Sequence, residues 1–185
     1  LIKPVSGRIE LNGVPAKPRD LTRAGFLVMQ DVNYQLFSDS VREELLIGLD
    51  ETDAGITAQA NQVMADLDLA AFVERHPMSL SGGQKQRLSI ARALAKKAPV
   101  YIFDDSFSAL DFKTDAALRR ALQEHTGDST VLIVAQRVST IMNAQQIIVL
   151  DEGRIAGKGT HRELLETCPT YREIAQSQLS KEELE

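Results

Sequence analysis

The chain has 185 residues, of which 43% are hydrophobic, and this suits one folded domain with its own apolar core. Its formal net charge of -5, with no dominant run of lysine and arginine, argues against a general nucleic-acid-binding protein. The single cysteine excludes an internal disulfide, so the sequence is compatible with a reducing compartment. No stretch approaches the roughly 18 consecutive apolar residues of a membrane-spanning helix, and any membrane role must therefore come through another domain.

The first predicted elements are short strands. Residues 8–11 alternate polar and apolar side chains and end at residues 12–13, Asn-Gly, which predicts a strand and a hairpin turn. Residues 15–18 carry two prolines and predict a rigid connection. Residues 26–29 form an apolar run that predicts a buried strand, and Gln30 follows at its end.

A helix with an exposed, positively polarised start is predicted after residue 80. Residues 56–73 first place apolar side chains at helical spacing, with a break near Asp68. Ser81 can then cap a helix whose first turn contains Gly82 and Gly83, leaving backbone N–H groups bare at the positive end of the helix dipole. This arrangement predicts a phosphate site, to which nearby basic side chains add positive charge: Lys85, Arg87, Arg92, Lys96 and Lys97.

Two later strands end in polar residues. Residues 100–105 read as a buried strand that delivers the carboxylates of Asp104 and Asp105. Asp111 follows as a candidate cap for a helix over residues 114–125. Residues 130–135 predict another strand, which is followed by Gln136 and Arg137.

The C-terminal third is predicted to contain a hairpin and two helices. Residues 146–150 and 154–157 flank the turn Asp151-Glu152-Gly153. Thr160 and Glu163 match a capping box that starts a short helix, so His161 is expected at the surface of its first turn. A terminal helix is predicted over residues 171–179.

The stretch Leu80-Ser81-Gly82-Gly83-Gln84 resembles the signature motif of ATP-binding cassette (ABC) ATPases, and the other motifs follow in that family's order. The resemblance implies an α/β fold, that of an ABC-type P-loop NTPase, with a core sheet and a helical signature subdomain. The expected parts are residues 1–40 with the Q-loop, 41–97 with the signature, and 98–185 with the Walker B, D-loop and H-loop positions. No G-x-x-x-x-G-K-[ST] phosphate loop occurs, so the N-terminal strand and phosphate-loop helix are expected to precede Leu1.

The resemblance also assigns site residues, with ATP and Mg²⁺ as cofactors. Gln30 and Asp104 would hold Mg²⁺, and Asp111 and the signature residues Ser81, Gly82, Gly83 and Gln84 would contact nucleotide. Asp105 and Gln136 stand at the catalytic positions, where efficient family members carry glutamate and histidine. A shorter carboxylate and a neutral amide predict impaired hydrolysis, as in the degenerate half of a heterodimeric exporter.

The expected partners are a second nucleotide-binding domain and transmembrane domains or subunits at the cytoplasmic face of the cell membrane, with no nucleic acid. Two alternatives stay open, namely a catalytically inactive regulatory half or truncated product, and a soluble ABC ATPase outside transport. Residues 1–79 resemble importer or energy-coupling-factor ATPases, whereas residues 88–185 resemble multidrug-type exporters. The chain is therefore either a natural intermediate or a fusion near the signature.

Overall fold

The computed structural model describes residues 5–107 and 112–180, with the side chains of residues 112–117 excepted. The chain divides into two compact units, a first that ends at Val134 and a second that begins at Ala135. Across the described residues, no helix is both long enough and apolar enough to cross a membrane.

The first unit opens with a hairpin and a helix. Its strands β1 (Glu10–Leu11) and β2 (Val14–Pro15) pair antiparallel around Asn12 and Gly13, which both have positive φ. The predicted hairpin is therefore confirmed. The sequence predicts only a rigid connection over residues 15–18. The second proline of this stretch instead begins helix α1 (Pro18–Ala24). A proline is tolerated at the first helical position, where its missing N–H would have no helical partner.

A parallel three-stranded sheet follows, with β4 (Val100–Asp104) between β3 (Gly25–Val28) and β5 (Thr130–Val134). One face of the sheet packs into the main core, where the side chains of Val28, Tyr101 and Phe103 are fully buried. Leu27 and Leu132 are exposed on alternate positions, so the apolar run of β3 is buried on one face only. The carboxyl ends of all three strands lie at one edge of the sheet.

Helices inserted between β3 and β4 form the rest of the main core. They are α2 (Val41–Leu46), α3 (Ala54–Asp66) and α4 (Gly82–Ala95), and α5 (Phe112–Thr126) follows β4. The predicted break near Asp68 is confirmed, since α3 ends at Asp66 and Asp68 has a φ of 52°. Apolar side chains of α2, α3 and α4 pack together, among them Leu45, Val63 and Leu88.

Over its described residues, 135–180, the second unit is a hairpin with three helices. It contains α6 (Val138–Ile141), β6 (Ile147–Asp151), β7 (Arg154–Gly159), α7 (His161–Thr167) and α8 (Pro169–Gln178). Its core includes Leu164, Cys168 and Tyr171, and a Cβ at Gly157 would stand 2.8 Å from the Cys168 Sγ. Glycine is therefore required there for β7 to approach the helices. His161 is half-buried rather than a surface residue, because its Nδ1 lies 2.8 Å from the Tyr171 hydroxyl.

Candidate nucleotide-binding site

Two predicted site residues meet at the carboxyl edge of the sheet. Gln30, two residues beyond β3, donates from Nε2 to the Asp105 Oδ2 at 3.3 Å, across 75 residues of sequence. Asp105 has a φ of 45°, and its backbone N–H donates to the carbonyl of Val134 at 2.9 Å. A left-handed conformation at Asp105 thus turns the chain after β4 while its backbone stays bonded to β5. The amide of Gln30 and the carboxylate of Asp105 are held together by the three strand ends.

Asp104 ends β4 beside them, and a buried serine ties the strand ends together. Asp104 is exposed and pairs with Val134 of β5. The fully buried Ser106 hydroxyl lies 3.2 Å from the carbonyl of Val28 and 3.3 Å from that of Asp104. No motif in the sequence marks Ser106, whose hydroxyl links the ends of β3 and β4 at this edge.

The donor set at this edge is made of oxygen atoms. Asp104 and Asp105 supply carboxylates, and the side chain of Gln30 supplies an amide oxygen. Mg²⁺ prefers oxygen ligands and is commonly held by one or two carboxylates together with substrate phosphates. These three side chains therefore fit the expected Mg²⁺ ion. The parallel strands place them at the same edge of the sheet.

Helix α4 begins with a capping box. Ser81 Oγ accepts from the Gln84 N–H at 3.4 Å, and Gln84 Oε1 accepts from the Ser81 N–H at 2.9 Å. The predicted N-cap is therefore confirmed. A Cβ at Gly82 or Gly83 would meet no described atom within 4 Å, so packing within the chain does not require either glycine. The first turn of α4 is open to another molecule, and a helix start of this kind binds anions.

One of the basic residues assigned to this helix is used inside the fold. Arg92 is 9% exposed and forms an ion pair with the fully buried Glu44. The same guanidinium donates to the carbonyl of Gln35, and Glu44 accepts from the backbone N–H groups of Phe37 and Ser38 at 2.7 and 2.9 Å. The expectation that Arg92 adds positive charge around the phosphate site is therefore wrong.

The segment after Gln30 is fixed to both the sheet and α4. Gln35 accepts from the Met29 N–H and donates to the Leu27 carbonyl, both at 2.8 Å. Its Oε1 also lies 3.4 Å from the hydroxyl of Ser89 in α4. Gln35 carries no signal in the sequence, because its partners lie 6, 8 and 54 positions away and form no local motif. The backbone immediately before Gln30 is consequently held in place.

The remaining predicted site residues are Gln136 and Asp111. Gln136 is exposed in the second unit, and its carbonyl accepts from the Gln178 Nε2 at 2.9 Å. Asp111 lies outside the described residues.

With this geometry established, comparison with known proteins defines the class. Residues 1–108 match the family model described as ABC transporter, so the chain belongs to the ABC transporter family. It is an ABC ATP-binding domain of the exporter type, with the α/β fold of that domain.

Three relatives illustrate the likeness. The "Uncharacterized ABC transporter ATP-binding protein YfiB" of Bacillus subtilis is 39% identical over 98% of this chain and 33% of its own length. An "ATP-dependent lipid A-core flippase" of Francisella tularensis is 37% identical over 94% of this chain and 30% of its own. The solved "Structure of a bacterial Atm1-family ABC exporter with ATP bound" has a TM-score of 0.85 and 30% identity over 97% of this chain and 33% of that one.

The extent of these matches bears on two sequence expectations. The chain spans about a third of the length of each of the three relatives. Each match also covers at least 94% of the chain and so runs through residues 79–88. The likeness to exporters therefore extends across both parts of the chain that the sequence analysis distinguished, and the fusion near the signature stays a prediction.

Proposed function

We propose that the chain is the ATP-binding part of an ABC exporter and works in a head-to-tail pair with a second nucleotide-binding domain. The observation that carries the proposal is the contact between Gln30 and Asp105 at the carboxyl edge of the sheet. In the family, the positions of these two residues serve one ATP. Their contact in the fold supports a shared role here.

The chain's own site would use the sheet edge. Gln30 and Asp104 would hold Mg²⁺, and Asp105 and Gln136 would position the attacking water. The Mg²⁺ ion supplies charge neutralisation for the phosphates when it is bound. The carboxylate of Asp105 is one methylene shorter than glutamate, and Gln136 carries neither charge nor a transferable proton. We therefore expect slow hydrolysis at this site.

The phosphate loop for that site must come from residues other than these 185, because the pattern G-x-x-x-x-G-K-[ST] does not occur in them. That loop supplies the main backbone cradle for the phosphates and a neutralising lysine. We therefore expect these 185 residues alone to bind ATP weakly and to be catalytically inactive.

The start of α4 would act on ATP held by the partner. Ser81, Gly82, Gly83 and Gln84 form an open, uncharged first turn at the positive end of a 14-residue helix. Backbone N–H groups placed there stabilise charge that develops on a phosphate during transfer. Asp111 would approach the same composite site from the D-loop.

Transmembrane domains or subunits would dock at the cytoplasmic face of the cell membrane. Tyr34 and Phe37, in the segment after Gln30, are 72% and 75% exposed and offer an apolar surface for such a partner. Because Gln35 and Glu44 hold this segment, a movement imposed on it would reach the backbone beside Gln30. The soluble ABC ATPase and the regulatory half that never hydrolyses ATP are the competing functions.

The test uses a loop-extended domain, in which a strand and a G-x-x-x-x-G-K-[ST] loop are placed before Leu1. We expect Asp105→Glu combined with Gln136→His to raise its ATPase rate by about tenfold or more, since each change restores a positioned acid-base group. ATP affinity should change little, because neither substitution adds a phosphate cradle. Equal and measurable ATPase rates would contradict the degenerate site, whereas background rates in both proteins would favour the regulatory half.

A further inference from the structure

Three side chains that can ligate a metal lie together on helices α3 and α5. They are Asp66, the last residue of α3, and Glu124 and His125 in the last turn of α5. One ligand atom from each lies within 4.8 Å of the other two. The closest pair, His125 Nε2 and Asp66 Oδ2, is 2.8 Å apart and joins residues 59 positions apart in sequence.

The chemistry of this triad suits a divalent transition metal. With a neutral imidazole, the two carboxylates give the three side chains a charge of -2. One imidazole nitrogen and two carboxylate oxygens are ligands that Zn²⁺ accepts, with water in the remaining position. Mg²⁺ instead prefers an all-oxygen set in octahedral geometry. The donor set therefore favours Zn²⁺ over the magnesium expected at the nucleotide.

The surroundings orient the ligand atoms. Gln62 donates from Nε2 to the Asp66 Oδ1 at 2.8 Å, which leaves Oδ2 directed at His125. Hydrogen bonds of this kind to the second oxygen of a ligand are a usual support for metal sites. The side chains of His125 and Asp66 are 13% and 22% exposed, so both ligand groups are partly shielded from water.

We propose that Asp66, Glu124 and His125 bind one Zn²⁺ ion and clamp the end of α3 to the end of α5. The competing explanation is a hydrogen bond between His125 and Asp66 alone, which uses two of the three side chains. Glu124 is exposed and has no part in that bond. Its contribution therefore distinguishes a metal site from a simple hydrogen bond, whether or not the proposed transport function is correct.

The test is a Zn²⁺ titration of the metal-free 185-residue chain by calorimetry, with thermal melting in parallel. We expect one ion per chain and a melting temperature that rises with Zn²⁺ and saturates, because a metal bound to the native state stabilises it. Glu124→Gln should weaken Zn²⁺ binding by at least about tenfold, since changes around metal ligands cost 10- to 100-fold. The metal-free melting temperature of this variant should equal that of the wild type.

The controls separate this site from other imidazoles and from charge alone. His76→Ala removes an exposed imidazole elsewhere and should leave Zn²⁺ binding unchanged, whereas His125→Ala should abolish it. Mg²⁺ at the same concentration should give no comparable rise in melting temperature. Absence of stoichiometric Zn²⁺ binding, or equal Zn²⁺ affinity in Glu124→Gln and wild type, would overturn the proposal.

Discussion

Helices α4 and α7 begin with the same capping arrangement but complete it with different chemistry. At α4 the side-chain amide oxygen of Gln84 accepts from the Ser81 backbone N–H, and at α7 the carboxylate of Glu163 accepts from the Thr160 backbone N–H. The helix dipole favours a negative charge in the first turn of either helix, so capping alone does not explain the neutral amide at α4. We interpret the difference as the separation of two roles: α7 neutralises its own start, whereas α4 leaves its start available to a phosphate.

The two helices are also held in the fold by different contacts. Removing the buried ion pair of α4 is expected to have the largest effect on stability. Arg92→Ala would leave the buried Glu44 carboxylate without its ion-pair partner, which typically costs about 3–5 kcal/mol in the free energy of unfolding. Urea denaturation of the 185-residue chain measures this loss. Among the described residues, no comparable buried charge supports α7, which packs through the apolar side chains of Leu164 and Cys168.

A paired substitution is the control for that prediction. Arg92→Met with Glu44→Gln removes both charges and keeps an acceptor for the backbone N–H groups of Phe37 and Ser38. We expect it to recover most of the lost stability, because a buried ion pair can often be replaced as a unit. If Arg92→Ala lowers the free energy of unfolding no more than this double substitution does, the claim that the unpaired Glu44 carboxylate is destabilising is contradicted.

A smaller effect is expected at the start of α7 and depends on pH. Hydrogen bonds from the Thr160 backbone N–H and then from its hydroxyl lower the pKa of Glu163 below the ordinary 4.5. A lowered folded-state pKa contributes stability above pH 4.5 that disappears as the pH falls through the folded value. Glu163→Gln should therefore melt below the wild type at neutral pH and converge with it in acid. A constant difference in melting temperature across this range would be inconsistent with the assigned cause.

Local motifs predicted from the sequence were reliable where neighbouring residues determine the structure. The turn at Asn12-Gly13 and the caps formed by Ser81 and Thr160 lie within four positions of their partners. The apolar run before Asp104 also predicted β4 correctly. Helix α1 was missed because a proline at its first position reads as a connection when the rest of the helix is not recognised.

Contacts between distant residues could not be read from the sequence. Arg92 looked like one more positive charge on a basic helix, yet its partner Glu44 lies 48 positions earlier. The link between Gln30 and Asp105 was expected only through resemblance to a family, since 75 residues separate them and no local pattern joins them. The triad of α3 and α5 had no sequence signal, because its ligands come from two separate helices.

The central claim, that the start of α4 acts on ATP held by another chain, is tested most directly by mixing two inactive variants. Both carry Asp105→Glu and Gln136→His in the loop-extended domain, so that hydrolysis is measurable. One also carries Gln84→Glu, which keeps a capping box but places a negative charge against phosphate. The other lacks the lysine of the added phosphate loop.

Each variant should be inactive alone. When they are mixed, the head-to-tail arrangement predicts recovery of about one quarter of the ATPase activity per chain, because half of randomly formed dimers contain one intact composite site of two. The melting temperature of Gln84→Glu should stay at or above that of its parent, showing that the fold is retained. No recovery on mixing, with dimers demonstrably formed, would contradict the claim that α4 serves a partner's ATP.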